Sequence, residues 1–215
     1  AFGPRSSGVL KGTGGVVGTI TGVMNDPQFI FILTPREAEL LVIKLGSIKT
    51  NLSYGLKSSR LTLNNLSGVY KGMEYSGQGV FNFDEEKPMN LSFRIFKGSW
   101  NDAKESLYPI FKPIIPYLKN AHFNMESSVL VTGGFDVHEM NVKGDLLATN
   151  FLWFSEDIEK ISTDFTLNDS LLSFNNIRAQ KVSGNLFGKG RYNLKDKEYS
   201  YEGSLTSLRL KDVFY

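Results

Sequence analysis

The sequence predicts a mostly β protein: an antiparallel meander laid down as two consecutive repeats, with one short helical interruption between them. Three observations predict it. First, the second half of the chain repeats the first. Ser76-Gly77-Gln78-Gly79-Val80-Phe81-Asn82-Phe83 returns as Phe187-Gly188-Lys189-Gly190-Arg191-Tyr192-Asn193-Leu194, 111 positions later, and Leu61-Thr62-Leu63-Asn64-Asn65-Leu66 returns as Leu172-Ser173-Phe174-Asn175-Asn176-Ile177 at the same shift. Ile48-Lys49-Thr50-Asn51-Leu52 matches Ile161-Ser162-Thr163-Asp164-Phe165 at a shift of 113, so two residues are lost between the blocks. Second, apolar residues alternate with period two over most of the chain. Third, clusters of Gly, Pro, Asn and Asp separate the alternating runs. What recurs is a rhythm of strands and turns rather than a set of reactive groups, which points to a repeat architecture.

The elements follow in order. Gly12-Thr13-Gly14-Gly15-Val16-Val17-Gly18 superficially resembles a phosphate-cradling loop, but it runs directly into the strand pattern Val17-Gly18-Thr19-Ile20-Thr21. A phosphate loop needs a following helix, so this stretch reads as a flexible or bulged strand. Phe29, Phe31 and Leu33 fall on one face of the next run, with Ile30 and Ile32 on the other. Ile48, Leu52 and Tyr54 share a face, as do Leu61 and Leu63. Tyr75, Phe81 and Phe83 keep parity through the glycines, and Leu91, Phe93 and Ile95 form the clearest triplet. In the second half the pattern returns at Phe135 and Val137, Met140 and Val142, and Phe151 and Trp153. It continues at Phe165 and Leu167, Leu172 and Phe174, Tyr192 and Leu194, and Tyr199 and Tyr201.

One segment departs from period two. Between Asp102 and Phe123, Leu107, Ile110, Phe111, Ile114, Ile115 and Leu118 recur at three- and four-residue spacing, a helical stripe. Pro109, Pro113 and Pro116 obstruct a straight helix, so short kinked turns are expected. A membrane-surface helix is the sharper reading, but Lys104, Lys112 and Lys119 give it a thin basic face, and a packing helix is preferred. The expected organisation is a first β repeat over 1–97, a helical linker over 98–126 and a second β repeat over 127–215.

Composition narrows the function. The 215 residues include 16 Phe, 9 Tyr and 21 Gly, and 24 basic against 22 acidic residues give a net charge of +2. No Lys/Arg run stands out, so nucleic acid is not an expected partner. With no cysteine there is no disulfide, thiolate catalysis or thiolate-bound metal. The two histidines, His122 and His138, lack a second histidine at ligand spacing, and Asp84, Glu85 and Glu86 read as a solvated hairpin tip. Four Asn-x-Ser sequons, at Asn51, Asn65, Asn90 and Asn168, matter only in a glycosylating pathway. No apolar run is long enough to span a bilayer as a helix, and the first residues lack the layout of a signal peptide. The chain reads as a cut-out piece of a longer protein. No enzyme, metal or cofactor is called for. The strand faces remain. They form either the core of a filled sandwich or the wall of a sheet that curls without closing, leaving an apolar trough.

Several of these elements resemble a known family. A Gly-rich strand leads to a hydrophobic one through Gly22-Val23-Met24-Asn25-Asp26-Pro27-Gln28-Phe29, followed by the 61–66 and 76–83 motifs. Val142-Lys143-Gly144-Asp145-Leu146 and Phe187-Gly188-Lys189-Gly190-Arg191-Tyr192 fit the same scheme in the second half. The pattern resembles the AsmA-like proteins of the bacterial envelope, the TamB (translocation and assembly module) family above all, which is similar to bridge-like lipid-transfer proteins. The resemblance implies an open, taco-like β-groove that conducts phospholipid between inner and outer membranes. It implies a periplasmic, cell-envelope location with any inner-membrane anchor outside this chain. Implied partners are phospholipid acyl chains, adjacent repeats of the same parent chain, and an outer-membrane barrel such as TamA engaged through regions outside this chain. The groove wall would be Leu61, Leu63, Phe81, Phe83, Leu91, Phe93 and Ile95 in the first repeat, and Phe165, Leu172, Phe174, Tyr192 and Leu194 in the second. Two alternatives use the same sheet: a periplasmic scaffold that pairs strand edges with outer-membrane proteins during assembly, and an adhesin or carbohydrate-binding module displaying Trp100 and Trp153.

Overall fold

The computed structural model describes residues 10–206 apart from 42, 109–111, 113, 114, 117, 137, 138, 155 and 183. Twelve strands form one antiparallel sheet in strict chain order. They are β1 (Leu10–Val23), β2 (Asp26–Leu40), β3 (Ile43–Gly55), β4 (Arg60–Tyr70), β5 (Met73–Asn82) and β6 (Met89–Ser99), then β7 (Ala121–Gly133), β8 (Met140–Trp153), β9 (Glu156–Asn168), β10 (Leu171–Lys181), β11 (Gly184–Asn193) and β12 (Tyr199–Thr206). One short helix, α1 (Trp100–Ser106), follows β6. Among the described residues β1 pairs only with β2 and β12 only with β11, so the sheet is open and not a barrel.

The repeat is a six-strand unit, and it extends further than the sequence motifs. Unusual backbone positions recur with it. Gly22 and Gly133 have φ of 92° and 113°, Glu37 and Asn150 of 53° and 52°, Leu41 and Phe154 of 56° and 54°. Ser59 and Ser170 have φ of 48° and 68°, and Asn65 and Asn176 of 51° and 52°. L-residues pay for left-handed φ unless a turn or bulge needs it, so these pairs mark the same turns and bulges in both units. The change of shift also has a location. Six residues separate the paired Gly133 and Met140, two more than separate the equivalent pair Gly22 and Pro27, and the β9–β10 turn, Asp169 and Ser170, is two shorter than residues 56–59 between β3 and β4.

One of these bulges explains the Asn-Asn doublet. At Asn65 the pairing of β4 shifts by one residue between Leu63 and Leu66. At Asn176 that of β10 shifts between Phe174 and Ile177. The freed carbonyls are held by buried threonines: the Thr50 hydroxyl donates to Asn64 O at 3.1 Å, and the Thr163 hydroxyl to Asn175 O at 2.9 Å. Asn tolerates the left-handed region better than other side chains. The bulge keeps Leu61, Leu63 and Leu66 on one face although their numbers change parity.

That face is concave. Ile43, at the start of β3, packs against Leu167 of β9 and Leu172 of β10, six strands further along the order. A sheet can bring such strands together only by bending back over its own surface, as twist and bulges make it do. The main core fills the concavity from β2 to β8, with Leu40, Ile48, Leu66, Phe81, Met89 and Met140 buried in it.

The helical segment differs from the sequence expectation in extent. α1 covers seven residues and begins at Trp100. Its start follows from a capping pair that the apolar stripe does not contain: the Asp102 N–H donates to the Ser99 hydroxyl at 3.2 Å, and that hydroxyl donates to the Asp102 carboxylate at 2.8 Å. Of the stripe, Leu107, Ile115 and Leu118 pack on the core, whereas Ile110, Phe111 and Ile114 lie outside the described residues. The sheet runs on beneath this segment, β6 pairing directly with β7.

Candidate functional site

The concave face is the one extended feature that two repeats build in common. Period-two alternation, corrected at the bulges, turns Phe29, Phe31 and Leu33 of β2 toward it, and carries it through Leu52 and Tyr54, Leu91 and Phe93, Val129 and Val131, and Val142 and Leu146. All twelve sequence-predicted wall residues lie on this face. They divide by burial. Leu63, Phe81, Leu91 and Leu172 are sealed by their neighbours. Leu61, Phe83, Phe93, Ile95, Phe165, Phe174, Tyr192 and Leu194 are half-buried along it.

Both ends of the first repeat's concavity are shut. At one end Phe81, Phe83 and Phe135 stack, with centroids 6.0–6.3 Å apart. At the other end α1 lies across the opening. Trp100 stacks on Phe123 at 5.5 Å and its indole N–H donates to Leu118 O at 3.2 Å; Phe123 in turn stacks on Phe151 at 5.0 Å. The Ser106 hydroxyl donates to Lys44 O at 2.6 Å, tying α1 to β3. Next to it the buried Tyr75 hydroxyl donates to Leu45 O, also at 2.6 Å, and burial pushes its phenol well above the ordinary tyrosine range. Outside, Lys71 and Glu105 pair at 2.6 Å, which raises the lysine and lowers the carboxyl.

Toward the two edges of the sheet the face opens. On β1, Val16 and Ile20 are 63% and 68% exposed, and on β12, Tyr201 and Leu205 are 54% and 51% exposed. Charge is kept to the convex side, where Lys97–Glu74 and Lys189–Glu202 link neighbouring strands. The concave side of the described strands carries one charged pair, Glu156 with Lys181, at the rim where β9 begins and β10 ends. The wall is therefore a greasy surface whose charge, among the described strands, is confined to that one neutralised pair.

Sequence reasoning missed part of this wall. Leu66 and Ile177 were hidden by the bulge. Met73 and Met89 follow Gly72 and Pro88, which break the alternation, whereas Phe123 and Met125 alternate regularly but fall in the stretch 98–126 read as a helical linker. The recurring Asn-Asn doublet was the available signal for the first pair. His138 and Val137 lie outside the described residues. Among the described residues no three His, Asp or Glu side chains are grouped to hold a metal, and no helix is long and apolar enough to cross a membrane. What the arrangement offers chemically is apolar burial. Comparison with family models, with curated proteins and with solved structures finds no match.

Proposed function

We propose that the concave face holds lipid acyl chains, as a segment of a longer groove in a bacterial envelope protein. The observation that carries this reading is a continuous apolar wall, crossing all twelve strands, whose outer parts stay exposed at Val16, Ile20, Tyr201 and Leu205. Exposed apolar surface of this extent marks a binding surface. Burying an acyl chain contributes about 0.8 kcal/mol per CH₂, so a 16-carbon chain gains around 12 kcal/mol before ordering costs. No directional contact is required, which agrees with a wall that has so few polar groups. The filled middle assigns contact to the second repeat, where Phe165, Phe174, Tyr192 and Leu194 remain half-buried. Transport of phospholipid across the periplasm is the role that the AsmA/TamB resemblance adds.

The test is native mass spectrometry with lipid extraction, beside a filled β-sandwich of similar size. Phospholipid should co-purify with the wild-type chain. Phe174→Asp should lose it while circular dichroism keeps its β signature. A lipid-free, fully folded wild type would remove the proposal. The open edges of β1 and β12 favour the scaffold reading as second choice; it requires the chain to capture unfolded outer-membrane proteins, with binding indifferent to Phe174→Asp.

A further inference from the structure

The two edge strands of the described sheet each have an equivalent inside it. In the repeat, β12 occupies the place of β6, and β1 the place of β7: Phe81 pairs with Met89 as Tyr192 pairs with Tyr199, and Gly22 matches Gly133 in φ and position. Inside the chain the β6-type and β7-type strands pair directly, through Met89↔Gly133, Leu91↔Val131, Phe93↔Val129 and Ile95↔Ser127. Among the described residues the molecule thus contains one completed junction and, at its two edges, the two halves of another.

From this we infer that β12 of one copy accepts β1 of a second copy, head to tail, in the register of the internal β6–β7 junction. Transferring that register gives Tyr199↔Gly22, Tyr201↔Ile20, Gly203↔Gly18 and Leu205↔Val16 toward the groove, with Ser200↔Thr21, Glu202↔Thr19 and Ser204↔Val17 outside. The backbone is oriented for it. Asn193 N–H donates to Glu198 O at 2.8 Å, so antiparallel alternation commits Ser200, Glu202 and Ser204 to β11 and turns the N–H and C=O of Tyr201, Gly203 and Leu205 outward. In the groove the join covers five exposed apolar side chains, Val16, Ile20, Tyr199, Tyr201 and Leu205, and outside it sets no like charges together. Over the joined stretch neither strand has a bulge or a proline to protect its edge, the bulge of β1 lying before it at Lys11–Thr13. From Gly12 to Asn25, β1 and its turn have no charged residue and no proline, and on β12 the one charge, Glu202, already pairs with Lys189 at 2.9 Å. Such a contact is heterologous and does not close on itself, so it builds rows that lengthen the concave wall. The inference stands on the repeat geometry and is independent of what the groove holds.

The chain has no cysteine, so introduced thiols report the register directly. Ser204 and Val17 would face each other at a non-hydrogen-bonded pair, where Cα atoms lie about 4.5 Å apart and a disulfide forms. Mixing full chains carrying Ser204→Cys and Val17→Cys under mild oxidation should yield a disulfide-linked species of twice the chain mass. Ser204→Cys mixed with Thr21→Cys should not. In sedimentation velocity the wild type should gain mass with concentration. Val16→Lys and Leu205→Glu should each abolish that gain without altering the circular dichroism, because both sites are exposed in the single chain. The double variant should recover it, since the two charges would then meet in the join. A wild type that stays monomeric at every concentration and forms no cross-link overturns the inference. So does equal cross-linking at Val17 and Thr21.

Discussion

Leu45 sits where β3 takes an extra residue against β2, between Lys44 and Gly46, so its carbonyl falls outside the ladder. Tyr75 reaches it from β5, two strands away, by laying its ring over Gly68 of β4. A Cβ at Gly68 would come 2.3 Å from the tyrosine hydroxyl, so only glycine leaves the path open. A buried carbonyl deprived of its donor costs about 1–3 kcal/mol. Tyr75→Phe should therefore lower the unfolding free energy by that amount, read from the urea midpoint. The same hydroxyl sets a pH dependence. In the unfolded chain the phenol ionises near pH 10, whereas burial keeps it protonated well above that in the folded protein. Its contribution is intact below pH 10 and is lost as pH rises toward the folded value. Tyr75→Phe should show a shallower alkaline decline than wild type; identical declines would exclude Tyr75 as the cause.

At the scale of elements, α1 holds its place through aromatic packing more than charge. The Lys71–Glu105 pair is exposed, and exposed pairs contribute little. Trp100 is buried between Phe123 and the turn at Leu118. Trp100→Ala should cost about 3–5 kcal/mol and should raise binding of an environment-sensitive apolar dye, because the groove end is unstoppered; an unchanged dye signal would mean α1 is no stopper. The strands themselves were legible in the sequence, since a half-buried strand must alternate and Leu91, Phe93 and Ile95 do so openly. Individual bulges were not. Those of β4 and β10 turn on one residue in the left-handed region, and only duplication of Asn65 as Asn176 makes that visible. The helix was legible as an interruption but not in extent, because Leu107, Ile115 and Leu118 of the apolar stripe pack on the core whereas the Ser99–Asp102 cap fixes the start. Which wall residues are sealed was not legible either. Phe81 and Phe174 read alike in the alternation, and their difference comes from the curl that lays core atoms over one and not the other.

For the whole molecule, the filled middle and open edges predict a gradient of stability. Amide hydrogen exchange should be slowest in β4 to β7, where the core is deepest, and fastest in β1 and β12, which are exposed along their length. Uniform protection across the sheet would contradict the burial pattern.

The strict strand order carries a kinetic consequence. Each strand finds its partner in the strand just before it, so every pairing but β6–β7, which closes over residues 100–120, closes a short loop, and contact order stays low for an all-β protein. Such a sheet grows one strand at a time from either end, as a chain emerging from a narrow pore would present it. The longer-range ties among the described residues include the packing of Ile43 against Leu167 and Leu172 and the bond from Ser106 to Lys44, which spans 62 positions. α1 can drop into place only after β3 to β6 are laid down, so it acts as the latch that records completion of the first repeat.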